Sequence, residues 1–551
     1  MLLALLGSLG IVVTDHAAVR STPRSTATEL TTLWQGDVVE VRGEQADYLK
    51  VYSYRRERGG YLRTEAVRQV TFSESEAPQL LAVLRFLRDT PGSEALGISY
   101  AAAYLKAVPP KALTAEPFDA IGQMAERLAD TASGTGSQVS SVAARLDVVG
   151  QFGVRMRSFE RNGRMQVCYD GQLYRNVLTQ PNATAEQRAH AVLGLTRAEC
   201  IDPDLGPTAR AALDDERSDV LDQVTDAGLT PLTKSRLHAR RAAVWSAVAY
   251  ERARRAQSGA ALQPSAAATQ TATAAAAQRA LSELTAVRSA DMGEVRQAEY
   301  VDAVLRVSAV RWAAVAPSTP VPPFARALVA PAPAVAPASA IARAPGVAPA
   351  PAIARAPGVA PAPAGARAAG VATVPAVATP APAVTVAQLG GAFALTTTPA
   401  DPGQTCVTLE DTRRKATLAR RCTYGIIWPA SAQLIDQAPA VVMSVQPLES
   451  WRELWVFHPI GGKWLVDVIS PGLDEPDAGY VEFAGFAPQT SRILLVREVR
   501  ERTRFRRWFE EVRLDDLVLV RQASTPELLR DFGRWQDVRW RRDTLALRLQ
   551  H

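Results

Sequence analysis

Along the first seventy residues, apolar and polar positions alternate in short runs: IVVT at 11–14, LWQGDVVEVRG at 33–43, YLKVYSY at 48–54 and GGYLRTEAV at 59–67. A period of two is that of a strand with one face buried, so the pattern predicts a compact all-β meander over residues 11–72. Gly36–Asp37 and residues 58–60 supply turns, because glycine accepts positive φ without a Cβ clash. Alternation along 48–54 sets Tyr52 and Tyr54 on one face and Leu49 and Val51 on the other.

From residue 77 to 315 the period changes to about 3.6, which predicts an all-α domain. Leu80, Leu81, Leu84 and Leu87 form one stripe, and segments 139–154, 185–195, 235–254, 274–287 and 294–312 read as further amphipathic helices. Thr184 and Gln187 have the spacing of a capping box, and Pro109, Pro110, Pro203 and Pro231 fall between helices, as helix breakers should. Residues 257–273, rich in Ala, Thr, Ser and Gln, read as a loop interrupting the series. Stacked helix pairs would offer a concave surface to protein partners, whereas a closed bundle would not. The periodicity is the same for both.

Residues 316–386 form a low-complexity linker. IARAPGVAPAPA occurs at 341–352 and again at 353–364, and GARAAGVATVPA follows at 365–376. Frequent proline removes ladder donors and alanine alone builds no core, so this stretch is expected to be a disordered Pro/Ala tether. In polyproline geometry, at ~3.1 Å per residue, it would reach roughly 200 Å and let the flanking domains search independently.

Strand patterns return over 387–551, at 407–409, 424–428, 441–446, 453–458, 463–469, 492–499, 508–514 and 517–521, with Gly461–Gly462 as a hairpin turn. The expectation is an antiparallel, β-rich C-terminal domain. WPAS at 428–431, FAPQ at 486–489 and WRRD at 540–543 echo one another, each placed before a strand. They resemble the W-S-P-D-G turns of Tol-B-type and WD-type propeller blades, although the final Asp-Gly is missing from all three. That resemblance implies a partial, propeller-like sheet; an unrelated antiparallel sandwich is the alternative.

At the front of the chain, AAVRSTP (17–23), LWQGDVVEV, DYLKV and GGYLRTEAV follow one another in the order and spacing of bacterial Src-homology-3-like domains. The resemblance covers about sixty residues. Tyr48 and Tyr61 stand where tryptophan is usual, and Thr22 where glycine is common. What it implies is a barrel that binds a peptidoglycan stem peptide or a protein segment on an aromatic shelf, for which Trp34, Tyr48, Tyr52, Tyr54 and Tyr61 are the candidates.

Composition changes this picture in three places. The net charge is +6, but only six of the 62 basic residues are lysine, and no nucleic-acid-binding signature accompanies the arginines near 500–507, so nucleic acid is not an expected partner. Cys168 with Cys200 and Cys406 with Cys422 form two local pairs without the Cys-x-x-Cys or Cys/His spacing of a metal site, which favours two disulfides in an oxidising compartment over four buried free thiols. Residues 1–10 read as part of a signal segment without its basic leader, and no run reaches the ~18 apolar residues of a membrane span.

No His-x-x-x-His pair, nucleophile elbow or phosphate-binding loop occurs. The acidic pairs Asp214/Glu216 and Glu510/Glu511 read as solvated, and neither a cofactor nor a catalytic residue is assigned. The expectation is therefore a periplasmic or exported adaptor that is not an enzyme. A cell-wall-active or other hydrolase, its site in the helical or C-terminal domain, is the alternative.

Overall fold

The computed structural model describes residues 8–134, 139–161, 163–259, 266–315, 384–389, 392–435, 437–472, 478–501 and 504–545. Most of the expected signal segment and nearly all of the tether (residues 316–383) lie outside them.

Strands β1 (Ser8–Val12), β2 (Ala17–Arg20), β3 (Glu29–Leu33), β4 (Val38–Gln45), β5 (Tyr48–Ser53), β6 (Arg58–Arg63) and β7 (Val67–Val70) make one antiparallel sheet. Its order is β3-β2-β6-β5-β4-β1-β7. Alternation delivers Val19, Leu33, Val39, Leu49, Val51 and Leu62 to a single cluster inside the curl. The expected barrel does not close: β3 and β7 end the hydrogen-bonded path. Instead, Ile11 and Val70 turn away from that cluster and join the following helices.

Those helices are α1 (Ala77–Arg88), α2 (Glu94–Ala107), α3 (Glu116–Ser133) and α4 (Val139–Gly150). The stripe read from the sequence packs α1, with Leu80, Leu84 and Leu87 buried. Helix α2 is buried on nearly every side because it lies between the sheet and its fellow helices. The middle is not all-α: β8 (Met156–Arg161) and β9 (Arg164–Tyr169) form a hairpin. Three arginines in MRSFER and RMQVCY, Arg157, Arg161 and Arg164, break up its alternation.

Helices α5 (Gln172–Thr179), α6 (Ala185–Leu195), α7 (Pro207–Asp222), α8 (Pro231–Gly259), α9 (Ala266–Thr285) and α10 (Ser289–Val310) follow. Both arms of the Thr184/Gln187 capping box are formed at the start of α6. The loop expected over 257–273 is mostly helix, since α8 runs to Gly259 and α9 begins at Ala266. Alanine's high helix propensity outweighs the low complexity there.

The C-terminal domain holds a four-stranded sheet, β10 (Val384–Gln388), β11 (Phe393–Pro399), β12 (Thr405–Asp411) and β13 (Ala416–Thr423). A nine-stranded sheet follows: β14 (Ile426–Ile427), β15 (Gln433–Leu434), β16 (Val441–Leu448), β17 (Trp451–Ile460), β18 (Lys463–Ile469), β19 (Ala478–Ala487), β20 (Arg492–Glu501), β21 (Arg504–Arg513) and β22 (Leu519–Ala523). Gly461 and Gly462, both at positive φ, join β17 to β18 with Ile460 opposite Lys463. The two sheets share one apolar layer, with Leu395, Val407 and Leu409 against Met443, Val445, Trp455 and Phe457. The tryptophan-led turns do not each precede a strand, because Trp540 lies in a helix. Short helices α11 (Arg530–Trp535) and α12 (Val538–Asp543) place Phe532 and Trp540 over Phe509, Leu494 and Val496.

Both expected disulfides are formed. Cys406 and Cys422 sit directly opposite each other on β12 and β13. Cys168 lies in β9 and Cys200 in a 3-10 turn, so this bridge ties the hairpin to the turn after α6 rather than stapling two helices. Loops of 32 and 16 residues are closed, and reduction of each is expected to cost about 3–4 kcal/mol. Urea midpoints measured with and without reductant check this; coincident midpoints would show that the folded body does not depend on the bridges.

The helical and C-terminal domains are docked, not independent. Glu449 holds Arg210 at 2.5 Å and Arg306 at 2.8 Å. Arg500 pairs with Asp302, and Gln257 exchanges two hydrogen bonds with the Ile427 backbone. Ile426 and Trp428 share a core with Val248, Tyr250 and Val310. The two flanks of the tether, the 3-10 turn at Arg311–Ala314 and β10, both pack against the turn at Pro429–Ser431. Among the described residues, no helix is long and apolar enough to cross a membrane.

Candidate functional site

The outer face of β4 and β5 carries the residues that the alternation pointed to. Leu49, Val51 and Ser53 are buried, while Tyr52 is half-buried and Tyr54 is 66% exposed. The two tyrosine rings meet edge-on, with centroids 5.1 Å apart. The Arg42 guanidinium lies 4.3 Å above the Tyr52 ring, within the range of a cation–π contact.

Glu40, directly across from Tyr52, ties the group together. It accepts hydrogen bonds from Arg42 Nε at 2.7 Å and from the Tyr54 hydroxyl at 3.1 Å. The Arg42 hydrogen bond holds the Glu40 carboxyl below its ordinary range. Tyr61 lies one register step away on the same face, opposite Lys50.

Trp34 and Tyr48 are taken up by packing instead. The Trp34 ring sits 4.1 Å from His16 and against the core of α2–α4. Tyr48 is buried beneath Arg63. The shelf is therefore Tyr52, Tyr54 and Tyr61 with Arg42 and Glu40, and the last two were not among the sequence candidates. Their signal was available: residues 40 and 42 alternate onto the Tyr52 face.

The acidic pairs read as solvated are mostly buried. Asp214 lies between Arg210 at 2.8 Å and Arg217 at 2.7 Å. Glu510 and Glu511 are held by Arg497 and Arg492; only Glu216 is exposed. In the arginine-rich run near 500–507, Arg500 and Arg507 are each committed to a carboxylate. A sequence pattern cannot show this, because the partners lie on other strands or helices.

A polar cavity of about 360 Å³ opens between α3, α6, α8 and α10, where sequence spacing gave no warning. Arg127, Arg197, Arg236, Arg240 and Arg296 line it together with Glu126, Asp130, Glu199 and Glu299. Arg197 reaches Glu126 at 2.9 Å, Asp130 at 2.5 Å and Glu199 at 2.8 Å. Burial alone would raise the Glu199 carboxyl, but Arg197 and Arg240 overcome it and pull it well below the ordinary range. Arg236 grips Glu299 through two nitrogens, and Arg296 holds the same carboxylate at 2.8 Å. For Glu299 too, burial is outweighed by the neighbouring arginines, and the carboxyl is lowered. Glu199 and Glu299, held in this way, are weak bases, whereas burial raises the Asp130 carboxyl despite Arg197.

The chain has no match among protein-family models, curated proteins or solved structures.

Proposed function

We propose that this chain is an exported binding protein whose front sheet holds an extended peptide on the Tyr52–Tyr54–Arg42–Glu40 face, the stem peptides of peptidoglycan being its ligand. The helical and C-terminal domains act as its rigid support. The observation that carries the reading is the exposed, preassembled tyrosine pair, fixed at both ends by Glu40 and Arg42. Flat rings with few rotatable bonds hold an extended chain at low entropic cost. The adjoining guanidinium and carboxylate offer both charges to the termini and side chains of a peptide. Two disulfides suit an oxidising compartment. Part of the helical surface where a separate protein partner was expected is covered by the chain's own C-terminal domain on α8–α10.

Co-sedimentation of the full chain with intact sacculi tests the reading. The wild-type protein is expected to pellet in both low and high salt, which separates specific capture from attraction by a +6 chain. The double variant Tyr52→Ala/Tyr54→Ala is expected to weaken capture by about tenfold or more, the effect of truncating interface tyrosines. If the wild type stays in the supernatant, or the variant pellets equally well, the wall-binding reading fails.

A further inference from the structure

We propose that the cavity between α3, α6, α8 and α10 is a binding site for a small oxyanion, a carboxylate or a phosphate, held by the unspent donors of Arg240 and Arg296. This site is separate from the tyrosine face and does not depend on it.

Five arginines face four carboxylates on the cavity wall. Each of those carboxylates already holds at least one guanidinium, and Glu126 also accepts the Tyr174 hydroxyl at 2.7 Å. The acceptors are committed, and so are Arg127, Arg197 and Arg236, but most donors of Arg240 and Arg296 are not. A guanidinium presents five N–H groups. Arg240 is half-buried, and among the described residues its one hydrogen bond to protein runs to the Leu193 carbonyl at 3.1 Å. Among the described residues, no carboxylate lies within 4.0 Å of it, although every other arginine on the wall has one. Arg296 spends one nitrogen on Glu299 and is otherwise directed to water.

A charged donor fork that is partly removed from water and left without an acceptor is unfavourable unless a ligand completes it. A planar carboxylate or a phosphate matches the fork with two parallel bonds. The volume of about 360 Å³ suits a small molecule. Arg236 and Arg240 stand one helical turn apart on α8, so both project from one face into the same space.

Titration calorimetry on the full chain in low-chloride buffer, with inorganic phosphate in one arm and succinate in the other, tests the proposal. Saturable binding of either anion is expected, and the arm that binds tells a phosphoryl ligand from a carboxylate. Arg240→Gln and Arg296→Gln are each expected to raise the Kd about tenfold, while Arg413→Gln, in the exposed turn between β12 and β13, leaves it unchanged. Arg296 is exposed and Glu299 keeps Arg236, so its variant remains informative even if Arg240→Gln unfolds. Failure of both anions to saturate at millimolar concentration would overturn the proposal. Wild-type affinity in Arg296→Gln would do the same.

Discussion

Residues 8–72, expressed alone, are expected not to fold, although their pattern is that of a self-contained small domain. The full sheet shares its outer core with helices: Ile11 and Val70 pack with Leu80, Leu87, Leu96, Tyr100 and Tyr104. Trp34 packs against the core of α2–α4. Cutting at residue 72 exposes those faces to water. At about 1.5–3 kcal/mol for each large apolar side chain, losing three such anchors costs at least about as much as the roughly 3–5 kcal/mol that so small a core supplies.

Polar ties are lost as well. The Ser99 hydroxyl donates to the Gly36 carbonyl at 2.7 Å, and buried Asp37 is held by Arg55 and by Gln151 from the helical side. Gly36 itself has a φ of +95°, and a Cβ there would meet the Ala95 carbonyl oxygen of α2 at 2.6 Å. This turn is shaped by its contact with the helix. The fragment should show no cooperative urea transition and no near-ultraviolet dichroism, whereas residues 8–315 should show both. A sharp, two-state transition in residues 8–72 would disprove the shared-core account.

Arg452→Ala is expected to destabilise the protein by about 3–5 kcal/mol, the usual cost of breaking a buried ion pair. Arg452 is fully buried where the C-terminal domain meets α10. It donates to Glu482 at 2.7 Å and to the Ser308 carbonyl at 2.5 Å. Glu482 also faces Arg311 at 2.6 Å and accepts from Trp540 at 3.0 Å and Thr544 at 3.1 Å. Alanine would leave a void and remove one of the two guanidinium groups that keep Glu482 ionised. Urea denaturation followed by tryptophan fluorescence measures the loss; a change below about 1 kcal/mol would place this arginine among surface pairs.

The same contact makes docking sensitive to acid. Burial raises the Glu482 and Asp302 carboxyls, but Arg311 and Arg452 around the first, and Arg306 and Arg500 around the second, bring both below their ordinary values. A carboxylate with a depressed folded pKa contributes stability that is complete above its unfolded value and is lost as pH falls through the folded one. Acidification below the ordinary carboxylate range should therefore loosen the interface. In Arg452→Ala the loosening should come at a higher pH, because Glu482 is then less strongly held.

Whatever depends on neighbours within a few positions was legible in the chain. Leu80, Leu84 and Leu87 gave the buried stripe of α1, and Thr184 with Gln187 gave the start of α6. Gly461–Gly462 gave a hairpin turn, and Tyr52 and Tyr54 fell on one face. The pairing of the four cysteines also followed from their local spacing.

The errors came where charge masks periodicity. The hairpin of β8 and β9 carries Arg157, Glu160, Arg161 and Arg164 among its apolar positions, and Asp214, Glu510 and Glu511 looked like solvent-facing acids. Only the tertiary structure decided that the front sheet is fused to helices, that the C-terminal domain docks on α10, and that five arginines ring one cavity. The reason is physical. Hydrogen-bond periodicity and turn chemistry act over a few residues, whereas the cost of burying an arginine is met by whichever carboxylate or carbonyl the fold brings within 3 Å. For Arg452 those partners lie 30 and 144 positions away.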